Sequence, residues 1–130
     1  MKILGIGVDI INNKRIKSSI KSNNFLIRTF GKKELSLSKK VSNKSSYFAK
    51  RFAAKESLVK SFGTGFRDNL NLKDIEILND KLGKPYFLKS KKINDIVKKR
   101  FKLKKYNLFL SISDEKEYSI AFTVLQTKSK

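Results

Sequence analysis

Two carboxylates and a lysine are the residues whose types and spacing can do chemistry. Asp9 closes the apolar run Gly5-Ile6-Gly7-Val8-Asp9, and Glu56 precedes Lys60 by one helical turn in Lys55-Glu56-Ser57-Leu58-Val59-Lys60. If the early strand packs on that helix, the two carboxylates can share one hard cation. They suit magnesium, which keeps several waters and completes its octahedron with substrate phosphate oxygens. Lys60 and the backbone N–H groups of Gly63-Thr64-Gly65 can then hold a diphosphate. Together these parts describe phosphoryl-group transfer. Each also has an ordinary reading: a strand-end Asp forms turns, Glu56 and Lys60 make an i, i+4 ion pair, and glycines stop a helix.

Composition narrows the choice. The 130 residues include no His and no Cys, which removes imidazole bases, thiolate nucleophiles, thiolate zinc sites and disulfides. Lys and Arg number 31 against 11 Asp and Glu, a net charge of +20 that favours an acidic protein, a nucleic acid or a phosphorylated ligand. No apolar stretch approaches the roughly 18 to 20 residues of a membrane span, and Asp9 comes too early for a signal peptide. The expectation is a cytoplasmic protein without a membrane partner. The length predicts one domain, residues 1–126, followed by a polar tail, 127–130.

The elements that must position the candidates can be read from periodicity. Residues 2–11 form a β-branched run with the character of a buried strand, and Asn12 or Asn13 can cap a short helix carrying Arg15, Ile16 and Ile20. Residues 24–40 predict one or two short helices broken near Gly31. The strongest helical pattern runs from Ser42 to Phe62, with Ser at candidate caps and Gly63 as the stop. Tyr47, Phe48, Phe52, Leu58, Val59 and Phe62 share an arc of roughly 140°. Glu56 lies on its edge with Lys60 on the same side, and Ala49 and Ala53 leave room beside them. Lys55 falls inside the apolar arc and must snorkel or pair. A hairpin follows, with strands at 74–78 and 84–88, then a helix over 90–101 with a basic outer face. Strands at 108–113 and 118–125 complete an α+β order with a mainly antiparallel sheet. Neither Gly5-Ile6-Gly7 nor Gly63-Thr64-Gly65 has the context of a dinucleotide fingerprint or a P-loop.

Four blocks in order resemble the holo-acyl-carrier-protein synthases, the short type of 4′-phosphopantetheinyl transferase. They are Gly5 to Ile10 with Arg15-Ile16; Arg51-Phe52-Ala53-Ala54-Lys55-Glu56-Ser57-Leu58-Val59-Lys60-Ser61-Phe62-Gly63-Thr64-Gly65; Asn79-Asp80 to Gly83-Lys84-Pro85; and Leu110-Ser111-Ile112-Ser113. The resemblance implies a 4′-phosphopantetheinyl transferase-like fold, with the sheet packed on a long central helix. It implies transfer of 4′-phosphopantetheine from coenzyme A to a serine of an acidic apo-acyl carrier protein, releasing adenosine 3′,5′-bisphosphate, with magnesium required. Asp9 and Glu56 would then bind Mg2+, and Glu56 and Lys60 would be catalytic. Lys60, Gly63, Thr64, Gly65, Lys84 and Pro85 would hold coenzyme A, and Arg15 would meet the carrier. A homotrimer with sites between subunits is implied as well.

The chain departs from the family pattern at Asp114, where a His usually ends the Ser-x-Ser stretch, and at Phe109, where many members carry another His. A carboxylate near coenzyme phosphates predicts weaker coenzyme A binding, unless lysines such as Lys116 compensate. A basic nucleic-acid-binding module is an alternative supported only by charge, with no nucleic-acid motif behind it, so no nucleic-acid partner is expected. A degenerate transferase that binds without turnover is the other alternative. Retention of Asp9, Glu56 and Lys60 together argues against it.

Overall fold

The structure, a computed structural model, describes residues 1–63, 65 and 69–128. Its order is β1 (Ile3–Asn12), α1 (Asn13–Ser19), α2 (Asn23–Thr29), α3 (Lys32–Ser38) and α4 (Lys44–Phe62), then a 3-10 turn, Leu72–Asp74. β2 (Ile77–Asn79), β3 (Pro85–Phe87), α5 (Lys91–Phe101), β4 (Tyr106–Asp114) and β5 (Tyr118–Thr127) follow. β1, β5 and β4 form one antiparallel sheet in that order, and β2 with β3 forms a separate antiparallel hairpin. α4 lies across β1 and β5, so the expected α+β arrangement on a long central helix is present.

The local reasons are mostly side-chain caps. Asn12 Oδ1 accepts from the Lys14 N–H at 2.9 Å and starts α1, while Ser90 Oγ accepts from the Ile93 N–H at 3.2 Å and starts α5. Asn43, rather than one of the neighbouring serines, caps α4 by accepting from the Ser46 N–H at 3.1 Å. Gly63 ends that helix in the left-handed region at φ 78°, a conformation other residues adopt only with strain.

The core is a layer of Ala49, Ala53, Leu58, Val59 and Phe62 from α4 against Leu110, Ala121 and Leu125 from the sheet, continued by Ile75, Ile77, Ile93 and Val97. Ser57 and Thr123 meet inside this layer with their hydroxyls 2.6 Å apart. On the other side of α4, Phe25, Phe30 and Phe48 form a ring cluster under α2 and α3.

Three expectations need correction. The run 74–78 is not one strand: Asp74 accepts from the Asn71 N–H at 2.9 Å and closes the 3-10 turn, which delays the strand to Ile77. β1 is not buried on both faces, because Ile6, Val8 and Ile10 are each more than half exposed on the face away from α4. The final strand also runs on to Thr127, whose hydroxyl and N–H bond the backbone of Lys2.

Candidate active site

The site begins with two glycines that no side chain could replace in this packing. A Cβ on Gly5 would stand 1.9 Å from the Ser61 carbonyl oxygen, and one on Gly7 would stand 1.9 Å from that of Ser57. Backbone therefore meets backbone where β1 crosses α4, far closer than a strand with side chains allows. Two residues beyond Gly7, alternation turns Asp9 to the same helix-facing side, beside the last turns of α4.

There Lys60 Nζ donates to Asp9 Oδ1 at 3.2 Å and to the Val8 carbonyl at 3.0 Å. Asp9 keeps only 16% of its side chain exposed, whereas Lys60 keeps 54%. The i, i+4 reading of Glu56 with Lys60 is thus replaced by a bridge between strand and helix. Glu56, one turn earlier and half-buried, is close enough to Asp9 for the two charges to oppose each other. Burial first, and Asp9 second, hold the Glu56 carboxyl above its ordinary value, while Lys60 and Arg15 pull it back.

Arg15 reaches this neighbourhood because α1 is tied to the β4–β5 turn. Asn13 Nδ2 donates to the Glu115 and Lys116 carbonyls at 2.9 and 3.1 Å, and Ser119 Oγ donates to Asn13 Oδ1 at 2.7 Å. Asp9, Glu56, Lys60 and Arg15 therefore form one cluster. Gly63 lies three residues past Lys60 and donates its N–H to the Lys60 carbonyl at 3.0 Å; Gly65 is also left-handed, at φ 67°. Thr64, expected between them, lies outside the described residues.

Lys84 and Pro85 are not brought to the Asp9 cluster. The Lys84 N–H is bound at 2.9 Å by Asp80 Oδ1, and Pro85 lines a second cavity of about 310 Å³ with Lys50, Arg51, Asn79, Ile112 and Asp114. Arg51 precedes Lys60 by nine residues, roughly 13 Å of helix. The Arg51 guanidinium stacks 3.7 Å over the Tyr47 ring and donates to Asn79 Oδ1 at 2.6 Å, and its buried Nε has no partner among the described residues. Asp114 accepts from Ser46 Oγ at 3.2 Å at the rim.

Two neighbouring oxygen-donor side chains whose mutual repulsion Lys60 and Arg15 only partly offset fit a hard divalent cation, which takes one or two protein carboxylates. Among the described residues no group of three or more His, Cys, Asp or Glu is placed to hold a metal ion, so water and substrate oxygens would supply the remaining positions.

Sequence reasoning missed the role of the two strand glycines, the Arg51 cavity and the partner of Lys55. Lys55 is buried and bonds Glu34 Oε1 at 2.5 Å. A lysine inside an apolar arc signalled that a partner must exist, but nothing local pointed to Glu34.

This geometry has a family. The sequence profile described as the 4′-phosphopantetheinyl transferase superfamily matches residues 5–123. A holo-[acyl-carrier-protein] synthase of Pelagibacter ubique is 60% identical over 128 residues, spanning 98% of this chain and 100% of the relative. One from Ehrlichia chaffeensis is 44% identical over 131 residues, spanning 97% and 98%. The crystal structure of the Neisseria meningitidis synthase superposes with a TM-score of 0.86 at 34% identity, covering 96% of this chain and 99% of that one. The Bacillus anthracis synthase, solved in complex with CoA (3′,5′-ADP), gives 0.81 at 32% identity, covering 98% and 100%. The chain belongs to the 4′-phosphopantetheinyl transferase superfamily and, within it, to the holo-[acyl-carrier-protein] synthases.

Proposed function

We propose that this chain transfers the 4′-phosphopantetheine group of coenzyme A to a serine of an apo-acyl carrier protein and releases adenosine 3′,5′-bisphosphate. The observation that carries this reading is the meeting of Asp9, Glu56 and Lys60 at the crossing of β1 and α4. We read residues 1–126 as one transferase unit acting in the cytoplasm. Among the described residues no helix is long and apolar enough to cross a membrane.

The serine oxygen forms a bond to the phosphorus that carries the pantetheine arm. The bond from that phosphorus to the bridging oxygen breaks, and the bridging oxygen leaves with the adenosine bisphosphate. Such a reaction needs alignment and charge stabilisation more than covalent help. Asp9 and Glu56 would hold Mg2+, which when bound supplies positive charge to the diphosphate oxygens. The exposed Lys60 ammonium, already at the Asp9 carboxylate, neutralises the diphosphate from the protein side. With no His present, Glu56 is the carboxylate placed to take the serine proton, directly or through a water. Gly63 and Gly65, both left-handed, follow Lys60 by three and five residues and are the glycines assigned to the coenzyme. Thr64 is assigned to the same segment by resemblance alone.

The second cavity suits the adenosine end of coenzyme A, with Lys50 and Arg51 as cations and Pro85 as an apolar wall; Lys84 lies in the chain between the lining residues Gly83 and Pro85. It lies apart from the Asp9 cluster within one chain, which favours sites completed by a neighbouring subunit. The exposed sheet face supports a homotrimer for the same reason: Val8 pairs with Phe122 and Ile10 with Ile120 across the ladder, and all four lie open. Exposed Arg15 and the +20 charge suit an acidic carrier helix.

The test is intact-mass measurement of apo-acyl carrier protein incubated with the chain, coenzyme A and magnesium, beside chelator and Glu56→Gln controls. A metal-dependent phosphopantetheine adduct that the variant fails to make is the expected result. Binding of carrier or coenzyme with no adduct would overturn it.

A further inference from the structure

Lys55 stands beside Glu56 in the sequence, is completely buried, and takes no direct part in the chemistry proposed above. Its ammonium has three protons and three acceptors: Glu34 Oε1 at 2.5 Å, the Leu72 carbonyl at 3.1 Å and the Ile75 carbonyl. Glu34, equally buried, is saturated in turn, because Oε1 accepts from the Gly31 N–H and Oε2 from the Ile77 N–H, each at 3.0 Å. One ion pair thus ties α3, α4, the 3-10 turn and β2 at a single point.

Stability alone is a weak reason for such a pair. Removing two charges from water is expensive, and apolar replacements of the same volume are often neutral or stabilising. What a saturated pair does supply is a fixed direction. A hydrophobic side chain in this place could slide, whereas three hydrogen bonds, one to α3 and two to the 3-10 turn and its cap, fix the angle at which residue 55 leaves the helix.

The opposite face of α4 is clamped too. Ser57 projects about 200° around the helix from Lys55. Its hydroxyl meets Thr123 Oγ1 at 2.6 Å, and its carbonyl is the one against Gly7. Glu56 lies between these clamps, about 100° from each. Its carboxylate is carried roughly 6 Å from the helix axis, so a rotation of about 10° moves it about 1 Å. A displacement of that size is enough to cost roughly 100-fold in a reaction that depends on alignment.

We infer that Lys55 and Glu34 are positioning residues that fix the rotation of α4, and thereby hold the Glu56 carboxylate where it can share a divalent cation with Asp9. The inference rests on the reading that Glu56 is a metal ligand.

The test compares the Lys55→Met/Glu34→Gln double variant, which leaves no buried charge unpaired, with Glu34→Gln alone and with Glu56→Gln. Each is checked for folding by circular dichroism and thermal melting. Mn2+ binding in the presence of coenzyme A is then titrated calorimetrically well below the melting temperature, and kcat and both KM values are measured. The expected double variant is folded, binds Mn2+ about 10-fold or more weakly, and loses about 100-fold in kcat with its carrier KM unchanged. A merely structural pair would lower the melting temperature and leave the metal affinity of the folded protein alone, so a folded double variant within twofold of the parent in both quantities overturns the inference. If the double variant does not fold, Glu34→Gln decides, with a smaller loss of Mn2+ affinity expected and no loss overturning. Full Mn2+ affinity in Glu56→Gln would instead mean that the metal-ligand reading itself is wrong.

Discussion

Replacing Gly7 with alanine puts a methyl group where another backbone already lies. The new Cβ would sit 1.9 Å from the Ser57 carbonyl oxygen, and ordinary contact begins at 3.4 Å, so β1 and α4 must part locally by about 1.5 Å. Overpacking of this kind costs about 1–3 kcal/mol, a fall in Tm of roughly 3–15 °C for a chain of this length. The larger effect should be on turnover. Asp9 is two residues from Gly7, about 7 Å along the strand, and its partner Lys60 is on the helix being pushed away. A separation of about 1.5 Å between the Asp9 and Glu56 carboxylates should reduce kcat by 100-fold or more. Gly5→Ala is the matched control, with the same 1.9 Å clash against Ser61 but four residues from Asp9. It should cost similar stability and less activity. The assay is transfer of phosphopantetheine to apo-carrier, followed by mass, beside a thermal melt. Gly7→Ala with near-parental Tm and kcat within threefold would refute the reasoning that close backbone contact sets the carboxylate spacing.

Further outcomes follow from the same geometry. Glu56 is protonated more readily in the folded chain than unfolded, so its contribution to stability is present below the ordinary carboxylate value and is lost as pH rises through the raised folded value. Glu56→Gln should therefore abolish turnover yet raise the Tm of the metal-free protein at pH 7, with a flatter Tm-against-pH profile at mildly acid pH. Asp114→His at the rim of the Arg51 cavity should lower the KM for coenzyme A about two- to fivefold, the range of one exposed charge interaction; no change would clear Asp114 of weakening the coenzyme site. Phe122→Asp on the open sheet face should reduce the mass seen by light scattering to that of one chain and reduce activity with it. Arg15→Glu should raise the carrier KM at low salt, and the difference should shrink as the Debye length falls with added salt.

Much of this architecture could be read from local sequence because local physics decides it. Helix starts at Asn12 and Ser90 are set by side chains within three residues and the helix end at Gly63 by its left-handed backbone, and alternation from Tyr118 onward can only be a half-buried strand. The absence of His and Cys and the Glu56–Lys60 spacing already confined the chemistry to carboxylates and lysine. The four blocks carried the family, although recognising them depends on resemblance rather than on folding physics.

Other features had no local cause. Gly5 and Gly7 read as isolated glycines until the Ser61 and Ser57 carbonyls stand against them, contacts across about fifty residues of chain. Lys60 has Glu56 one turn away, yet its ion pair is with Asp9, because strand and helix approach closely enough for its ammonium to cross between them. Lys55 announced only that it needed a partner, and the packing of α3 under α4 made that partner Glu34. The outer face of β1 looked buried because its residues are apolar, but a single chain has nothing to cover it. Residue type and short-range spacing determined which groups were available and which helices and strands would carry them. Which groups meet was settled only by tertiary packing, because a contact between distant segments depends on how closely two surfaces can approach, and that closeness is a property of both at once.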